Sequence, residues 1–350
     1  MTKRQETRSR ARRSVTTAIV AAALATAGMQ APAEAAVPAA AQSWTSLMYR
    51  SLTVTATGAQ LRQTLATQRT TVTTRTVEVT RATAALSVAA KQVTAATNAD
   101  KTAKDRVTAA RAAVTAARKK LSKVKPRHKS AVTIARNGVT AAQKTLTVRT
   151  TQARDAATAL AQARSSSSAA TAALDTANNS VKSASAAVVL TEQKIAALKT
   201  PAELAGQAAA VSRSVVTAVR PAFTTADTVV IYGTTVHRTV SYAYRRMVDD
   251  AKKAGIDISG GGFRTKQRQI ELRKINGCPD IYTAPSSSCR VPTAVPGRSL
   301  HEIGLAVDVT SGGKTLTSKS PAFKWLQLHA DEYGFVNLPS EPWHWSITGG

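Results

Sequence analysis

The sequence contains few aromatic residues, and their distribution divides the chain into two kinds of structure. Phenylalanine, tryptophan and tyrosine make up 4% of the 350 residues, and none lies between residues 50 and 222. The 43% of residues that are hydrophobic are therefore mostly alanine and valine, which fill a large globular core poorly. Glycine and proline, at 17 and 12 residues, are too scarce for a collagen-like or proline-rich chain. The aromatic-free region must differ in architecture from the C-terminal part.

Acidic residues are also scarce, which leaves the chain strongly basic. The 20 aspartate and glutamate residues are outnumbered by 48 lysine and arginine residues, for a net charge of +28. A positive field of this size attracts DNA, anionic lipid and acidic wall polymers alike. Charge alone therefore does not distinguish these three partners, and the cellular compartment of the protein is needed to choose among them.

The first 35 residues have the composition of a secretory signal peptide. A basic stretch precedes an apolar run over residues 15–27 and Ala33-Glu34-Ala35, after which cleavage is expected. The run is too short to span a bilayer comfortably, which disfavours the alternative of an uncleaved anchor. Arg12-Arg13 leaves both the general secretory and the twin-arginine route open. The mature chain, at +24, is expected to be secreted or cell-wall associated, with anionic wall polymers rather than nucleic acid as partners.

Only two cysteines are present, Cys278 and Cys289. In an oxidising compartment they are expected to form one disulfide. Closing a loop this short contributes roughly 3 kcal/mol in the chain-entropy account. A metal-binding pair is the alternative, but such pairs are usually two to four residues apart.

A seven-residue period predicts two long helices in the aromatic-free region. Apolar residues recur every seven positions, and alanines three positions later complete the a and d seam of a coiled coil. In the first helix the a positions are Leu65, Val72, Val79, Leu86, Val93, Asp100, Val107, Val114 and Leu121, of which only Asp100 is not apolar. The second series is Val132, Val139, Leu146, Ala153, Leu160, Ser167, Leu174, Val181, Val188 and Ile195.

Lys125-Pro126 separates the two series, because proline ends a helix and restricts the residue before it. We therefore expect residues 61–199 to form an antiparallel coiled-coil hairpin with its turn at 125–130, roughly 95 Å long. Residues 36–60 are expected to be an N-terminal segment, and residues 200–228 a linker with a short helical stretch around residues 211–219. A disordered threonine- and alanine-rich stalk is the alternative, but disorder gives no reason for so long a period.

Most of the positive charge lies on the predicted hairpin. Between residues 61 and 198 there are 23 basic and six acidic side chains. The charge is densest at the turn, with Lys119, Lys120, Lys123, Lys125, Arg127 and Lys129. A solvated helix tip is the ordinary explanation. A contact with anionic wall polymers or with a membrane partner is the alternative hypothesis.

Residues 229–350 predict a small α+β domain. Apolar residues at helical spacing over 239–254 end at Gly255, a second helix covers 266–274, and Pro321 opens a third that stops at Gly334. Alternating apolar and polar residues predict strands at 304–309 and 343–345. This alternation places Asp308 opposite its flanking valines and His344 opposite two tryptophans.

Three residues of this domain, His301, Asp308 and His344, offer ligands for one zinc ion and leave a fourth position for water. Zinc lowers the pKa of a bound water toward ~7, and a neighbouring carboxylate must then move the proton to a leaving amine. Glu341 is three residues before His344, a spacing that allows it to lie beside the same zinc site. Each residue also has an ordinary structural explanation, and HExxH is absent, so spacing alone leaves the site open.

Longer motifs around these residues resemble a known family. Ser299-Leu300-His301-Glu302-Ile303-Gly304-Leu305-Ala306-Val307-Asp308 fits SxHxxGxAxD, and Glu341-Pro342-Trp343-His344 fits ExxH. With Gly262-Phe263-Arg264-Thr265 and Gln269, they resemble the zinc D-alanyl-D-alanine carboxypeptidases of the VanY type, within the lysostaphin, D-Ala-D-Ala and Hedgehog-like metallopeptidase group. The resemblance covers roughly residues 236–348 and says nothing about the hairpin.

The resemblance implies His301, Asp308 and His344 as ligands of one zinc ion and Glu341 as the catalytic base, later the acid. It implies a peptidase acting on peptidoglycan stem peptides, with removal of the terminal D-alanine of a D-Ala-D-Ala end as the expected reaction. An endopeptidase that uses the same site is the second enzyme hypothesis. A non-catalytic wall-binding protein is the third, although no ligand is missing.

The resemblance also assigns the substrate contacts. It implies that Arg264 holds the substrate or the developing oxyanion, a task that suits a permanently charged fork of donors. It further implies that Ser299 and Gln269 contact the peptide. Phe263 and Thr265 replace the more usual tyrosine and serine, which affects fine substrate preference rather than the metal site.

Overall fold

The computed structural model describes residues 37–350, and two long helices dominate its first half. Helix α1 spans Ala39–Ser122 and helix α2 spans Lys129–Ala196. They pack antiparallel, as the 2.7 Å ion pair between Arg69 and Glu192 illustrates. The predicted coiled-coil hairpin is therefore confirmed. The export signal predicted for residues 1–35 lies outside the described residues.

The predicted seam is the contact surface of the hairpin. Every a position of both predicted series is buried or half-buried, whereas most of the residues between them are exposed. Asp100, the polar residue in the first series, is only 6% exposed and accepts a 2.7 Å hydrogen bond from the Lys104 ammonium. A partner one turn away thus compensates part of the cost of placing a carboxylate in the seam.

Helix α1 begins earlier than expected, so residues 39–60 are not a separate segment. The seven-residue positions continue backwards through Gly58, Ser51 and Trp44, all of which are buried. Because Gly58 and Ser51 are not apolar, the hydrophobic pattern fades although the helix continues. Gly58 also permits a close helix approach, since a Cβ there would lie 3.3 Å from the Leu198 side chain.

Most of the predicted linker forms helix α3, Pro201–Ala222, so the helical stretch expected around residues 211–219 is longer than predicted in both directions. The Thr200 hydroxyl accepts from the backbone N–H of Glu203 at 3.2 Å, and the Glu203 carboxylate accepts from the backbone N–H of Thr200 at 2.7 Å. This capping box, followed by proline at the first helical position, starts the helix directly after α2. Thr-Pro-Ala-Glu at residues 200–203 is the sequence signal for this helix start.

The C-terminal domain combines a two-stranded ribbon, a five-stranded sheet and three helices, and its predicted α+β class is confirmed. The sheet order is β3-β4-β7-β6, β5 pairs with β4, and all pairings are antiparallel. Among residues 37–350, no helix is long and apolar enough to cross a membrane. The elements are β1 (Thr228–Ile231), β2 (Thr234–His237), α4 (Arg238–Lys253), β3 (Ser259–Gly261), α5 (Lys266–Ile275), β4 (Ala306–Ser311), β5 (Lys314–Thr315), α6 (Pro321–His329), β6 (Val336–Leu338) and β7 (Glu341–Ser346).

The core of the C-terminal domain includes side chains from α1 and α3. Trp44 is fully buried, and its indole N–H donates to the Ser212 hydroxyl at 3.1 Å. Val215 and Val219 of α3 lie in the same core cluster as the buried residues of β4 and α4. The base of the hairpin is therefore part of the domain rather than an attachment to it.

We expect Trp44→Ala to lower the free energy of unfolding by about 3–5 kcal/mol, because it empties a fully buried tryptophan site. Urea denaturation followed by near-ultraviolet circular dichroism measures this change. Leu328→Ala is the matched control, since Leu328 is 72% exposed and its loss should cost less than about 0.5 kcal/mol. Equal stabilities of the two variants would contradict a shared core.

Candidate metal centre and cleft

Two of the predicted ligands face each other on neighbouring strands. Asp308 of β4 pairs directly with His344 of β7 in the antiparallel register, which brings their side chains within reach of one another. His301 comes from a one-turn 3-10 helix, His301–Ile303, that immediately precedes β4. This turn ends at Gly304, whose φ of +66° favours glycine and whose added Cβ would lie 2.6 Å from the backbone nitrogen of His237.

The three ligand atoms form a nearly equilateral triangle. His301 Nε2 lies 3.1 Å from Asp308 Oδ1 and 3.1 Å from His344 Nδ1, and the last two atoms are also 3.1 Å apart. Tetrahedral zinc with bonds of about 2.0–2.1 Å separates its ligand atoms by about 3.3 Å. The structure thus brings together all three predicted ligands at a spacing that fits one ion of this size.

The lone pairs of the three ligand atoms also favour a bound cation. His301 Nδ1 donates to the carbonyl oxygen of Gly262 at 2.8 Å, so the neutral ring presents the Nε2 lone pair to the other two ligands. Asp308 Oδ1 is an acceptor as well, so two atoms with lone pairs face each other at 3.1 Å. Only glycine fits at position 262, because a Cβ there would collide with the carbonyl oxygen of Thr235. A bound cation would satisfy all three atoms.

The electrostatic surroundings keep Asp308 ionised. Burial raises the pKa of its carboxyl, but the imidazoles of His301 and His344 and the charge of Arg264 outweigh burial and hold this pKa well below its ordinary value. Arg264 lies 3.6 Å from Asp308 Oδ2. Burial lowers the pKa of His301, so its ring is neutral at physiological pH and free to bind a metal ion.

Glu341 and Arg264 lie beside the three ligands. Glu341, the first residue of β7, is half-buried, and burial raises the pKa of its carboxyl. The backbone N–H of Arg264 donates to the carbonyl oxygen of His301 at 3.2 Å, which ties the arginine to the metal centre. Among residues 37–350, the Arg264 Nε atom has no hydrogen-bond partner although it is buried. The Arg264 guanidinium therefore retains one donor that no described residue uses.

One cleft of about 410 Å³ opens onto these side chains, and all the predicted catalytic, substrate and metal residues line it. The Gln269 side chain is only 1% exposed, and its Nε2 donates to the carbonyl oxygen of Ala294 at 2.7 Å. Its Oε1 finds no partner within the described part of the chain. The Ser299 hydroxyl accepts a 3.3 Å hydrogen bond from the backbone N–H of His301.

The predicted disulfide joins Cys278 to Cys289 in the loop that forms one wall of the cleft. Arg273 is fully buried and holds the same loop by donating to the carbonyl oxygens of Thr293, Asp280 and Ala284 at 2.6–2.7 Å. Sequence reasoning missed Arg273, because an arginine in the last turn of a short helix usually faces solvent. The Arg273 guanidinium and the Cys278–Cys289 disulfide thus hold this wall of the cleft in place.

Sequence reasoning also assigned no role to Glu302, which follows the first metal ligand. Its carboxylate is buried and accepts from the backbone N–H of Gly297 at 2.9 Å and from that of Ser299 at 3.2 Å. These bonds fix the loop that leads into His301. The available signal was the position of Glu302 directly after the predicted ligand His301. A carboxylate that is buried there needs hydrogen-bond donors to compensate its lost hydration.

The cleft of this α+β domain brings together a His–Asp–His centre, a glutamate and an arginine. These are the features of a metal-dependent hydrolase. Residues 233–350 match the family model described as VanY, D-alanyl-D-alanine carboxypeptidase. The predicted resemblance to VanY-type carboxypeptidases is thereby confirmed for this part of the chain.

Two curated relatives match about a third of the chain. The chain is 29% identical over 124 residues to a D-alanyl-D-alanine carboxypeptidase of Enterococcus faecalis, a match that covers 29% of this chain and 44% of that protein. It is 27% identical over 132 residues to the putative carboxypeptidase YodJ of Bacillus subtilis, covering 33% and 46%. The chain therefore spans less than half the length of the curated relatives it matches.

Among solved structures, the chain is similar to a mutant of the vancomycin-resistance D,D-pentapeptidase VanY in complex with Zn(II). The match has 23% identity and a TM-score of 0.28, and it covers 34% of this chain and 76% of that one.

Proposed function

We propose that this protein is an exported, zinc-dependent peptidase that removes the terminal D-alanine from D-Ala-D-Ala-ended stem peptides of bacterial peptidoglycan. The observation that carries the proposal is the convergence of His301, Asp308, His344, Glu341 and Arg264 on one cleft. The cleft lies within the residues that match the VanY carboxypeptidase family. The similar protein from Enterococcus faecalis is named for the same activity.

His301, Asp308 and His344 would hold the ion, and a set of two nitrogen ligands and one carboxylate oxygen suits zinc. Bound zinc would polarise the scissile carbonyl and lower the pKa of water. Glu341 would take the proton from the attacking water and deliver it to the departing amine nitrogen. Burial raises the pKa of the Glu341 carboxyl, which makes its carboxylate a stronger base for the first transfer.

The remaining cleft residues would bind the peptide. Arg264 would donate hydrogen bonds to the oxygen that becomes negative during attack, through a guanidinium that stays charged although partly buried. Gln269 would accept a hydrogen bond from a substrate N–H, because its Oε1 has no partner among residues 37–350. Ser299 lines the same cleft and would contact the peptide next to the metal centre.

Digestion of purified muropeptides, followed by mass analysis of the products, tests this reaction. Loss of one alanine mass, abolished by a chelator and restored by zinc, is the expected result. Cleaved cross-links would identify an endopeptidase that uses the same residues. Unchanged muropeptides in the presence of zinc would exclude both activities and favour a non-catalytic wall-binding protein.

We further propose that the outer half of the hairpin binds anionic wall polymers. Residues 106–154 contain 13 basic residues and no acidic residue. The ion pairs seen in the described part of the hairpin all lie outside this stretch. The charges extend along both helices for several turns from the tip, so they match a long flexible polyanion better than a flat membrane surface, which would meet only the tip.

Replacing Lys119, Lys120 and Lys123 by glutamine is expected to reduce binding to purified cell-wall sacculi several-fold, and added salt should reduce it further. Cosedimentation over a salt series measures this binding. The control variant carries the same change at three exposed lysines outside the stretch, Lys91, Lys182 and Lys194. Equal binding by the two variants would contradict the proposal, as would a preference for vesicles of anionic phospholipid over sacculi.

A further inference from the structure

The loop before His301 is held by an arginine that lies outside the VanY-matched residues. Arg220, near the end of α3, donates through one guanidinium nitrogen to the carbonyl oxygens of Gly297 at 2.7 Å and Ser299 at 3.2 Å. Its other terminal nitrogen donates to the carbonyl oxygen of Arg298 at 3.0 Å. Three consecutive carbonyl groups thus accept hydrogen bonds from one guanidinium, whose fork of donors reaches all three.

The opposite side of the same loop is held by an anion. The Glu302 carboxylate accepts from the backbone N–H groups of Gly297 and Ser299, as described above. Burial lowers the pKa of Arg220, and the charge of Glu302 acts against that shift, so the guanidinium stays protonated. The loop therefore lies between two opposite charges that bind its carbonyl and amide groups separately.

This loop determines where two cleft residues lie. Ser299 belongs to it and lines the cleft, and the Ser299 hydroxyl accepts from the backbone N–H of His301. His301 itself is 1% exposed and supplies the Nε2 corner of the metal triangle. A shift of the loop by a fraction of an ångström would move both side chains relative to Asp308 and His344.

We propose that Arg220 is a positioning residue, which acts through the backbone of residues 297–299 to hold His301 and Ser299 in the geometry needed for metal binding and turnover. Helix α3 thereby supports the active site of the proposed peptidase, although the family match begins only at residue 233. The effect on turnover rests on the proposed function, whereas the effect on metal binding does not.

The test compares Arg220→Met and Arg220→Lys with Arg213→Met in the full-length mature protein. Arg213 is an exposed arginine two turns earlier on the same helix, which makes it a matched control. Visible absorption during titration with Co²⁺ alone reports the affinity and symmetry of the metal site, at a temperature well below each melting point. We expect Arg220→Met to lower Co²⁺ affinity about 10-fold or more and to alter the absorption bands. The release of D-alanine should fall with it.

Lysine keeps the charge but not the fork, so Arg220→Lys should recover only part of the loss. Arg213→Met should match the wild type. If Arg220→Met lowers only the melting temperature and leaves Co²⁺ affinity and spectrum unchanged, Arg220 is merely structural and the proposal is wrong. If the wild type binds Co²⁺ but releases no D-alanine from any muropeptide, the proposed function fails, while the Co²⁺ comparison still decides the role of Arg220.

Discussion

Glu341→Gln is expected to lower kcat for D-alanine release by about 10²–10⁴-fold while the metal content stays at the wild-type level. The amide has the size of the carboxylate but neither accepts the proton of the attacking water nor delivers it to the leaving amine. Glu341 is not one of the three residues whose ligand atoms meet in the metal triangle, so the ion should remain bound. Steady-state kinetics on a D-Ala-D-Ala peptide and elemental analysis of the same preparation measure the two quantities.

Glu332→Gln is the matched control, because Glu332 is an exposed glutamate outside the cleft and its loss should leave kcat unchanged. Full activity of Glu341→Gln would exclude this residue as the base. Loss of the metal from Glu341→Gln would instead show that the carboxylate is a ligand. The two outcomes contradict the assignment in different ways, so the metal analysis is needed beside the kinetics.

Much of the fold could be predicted because the hairpin repeats one physical signal many times. Each heptad places a small apolar residue in the seam, and single departures such as Asp100 do not obscure the period. The ends of the hairpin could not be predicted this way, because Ser51 and Gly58 keep the spacing but not the hydrophobicity. The seam there is closed by the Leu198 side chain next to Gly58 and by a 2.8 Å hydrogen bond from the Ser51 hydroxyl to the carbonyl oxygen of Pro201, contacts that a hydrophobic pattern does not predict.

The metal centre could be proposed from the sequence because its ligands lie in short motifs with fixed spacing. The alternation in both strands indicates the faces on which Asp308 and His344 lie, whereas the register of β4 and β7 that pairs them is seen only in the structure. The supporting residues gave no comparable signal. Arg220 and Ser299 are 79 positions apart, and nothing local shows that a helix outside the domain reaches the loop before His301. Such long-range polar contacts emerge only from the packing of α3 into the domain core.

Asp308→Asn is expected to weaken zinc binding by more than about 100-fold and to abolish D-alanine release at low zinc concentrations. The amide oxygen fills the same space but lacks the negative charge, which Asp308 carries at neutral pH because its pKa is held below its ordinary value. Zinc at 100 times its dissociation constant should stabilise the wild type by about 2.7 kcal/mol against unfolding, and the variant by far less.

Thermal unfolding after dialysis against a chelator, with and without added zinc, measures this difference. Asp257→Asn, at an exposed aspartate just before β3, should respond to zinc like the wild type. An Asp308→Asn protein that gains as much melting temperature from zinc as this control would remove Asp308 from the ligand set. Because the triangle has only three protein ligands, two histidines alone would not hold a catalytic ion tightly, and the hydrolase proposal would fail with it.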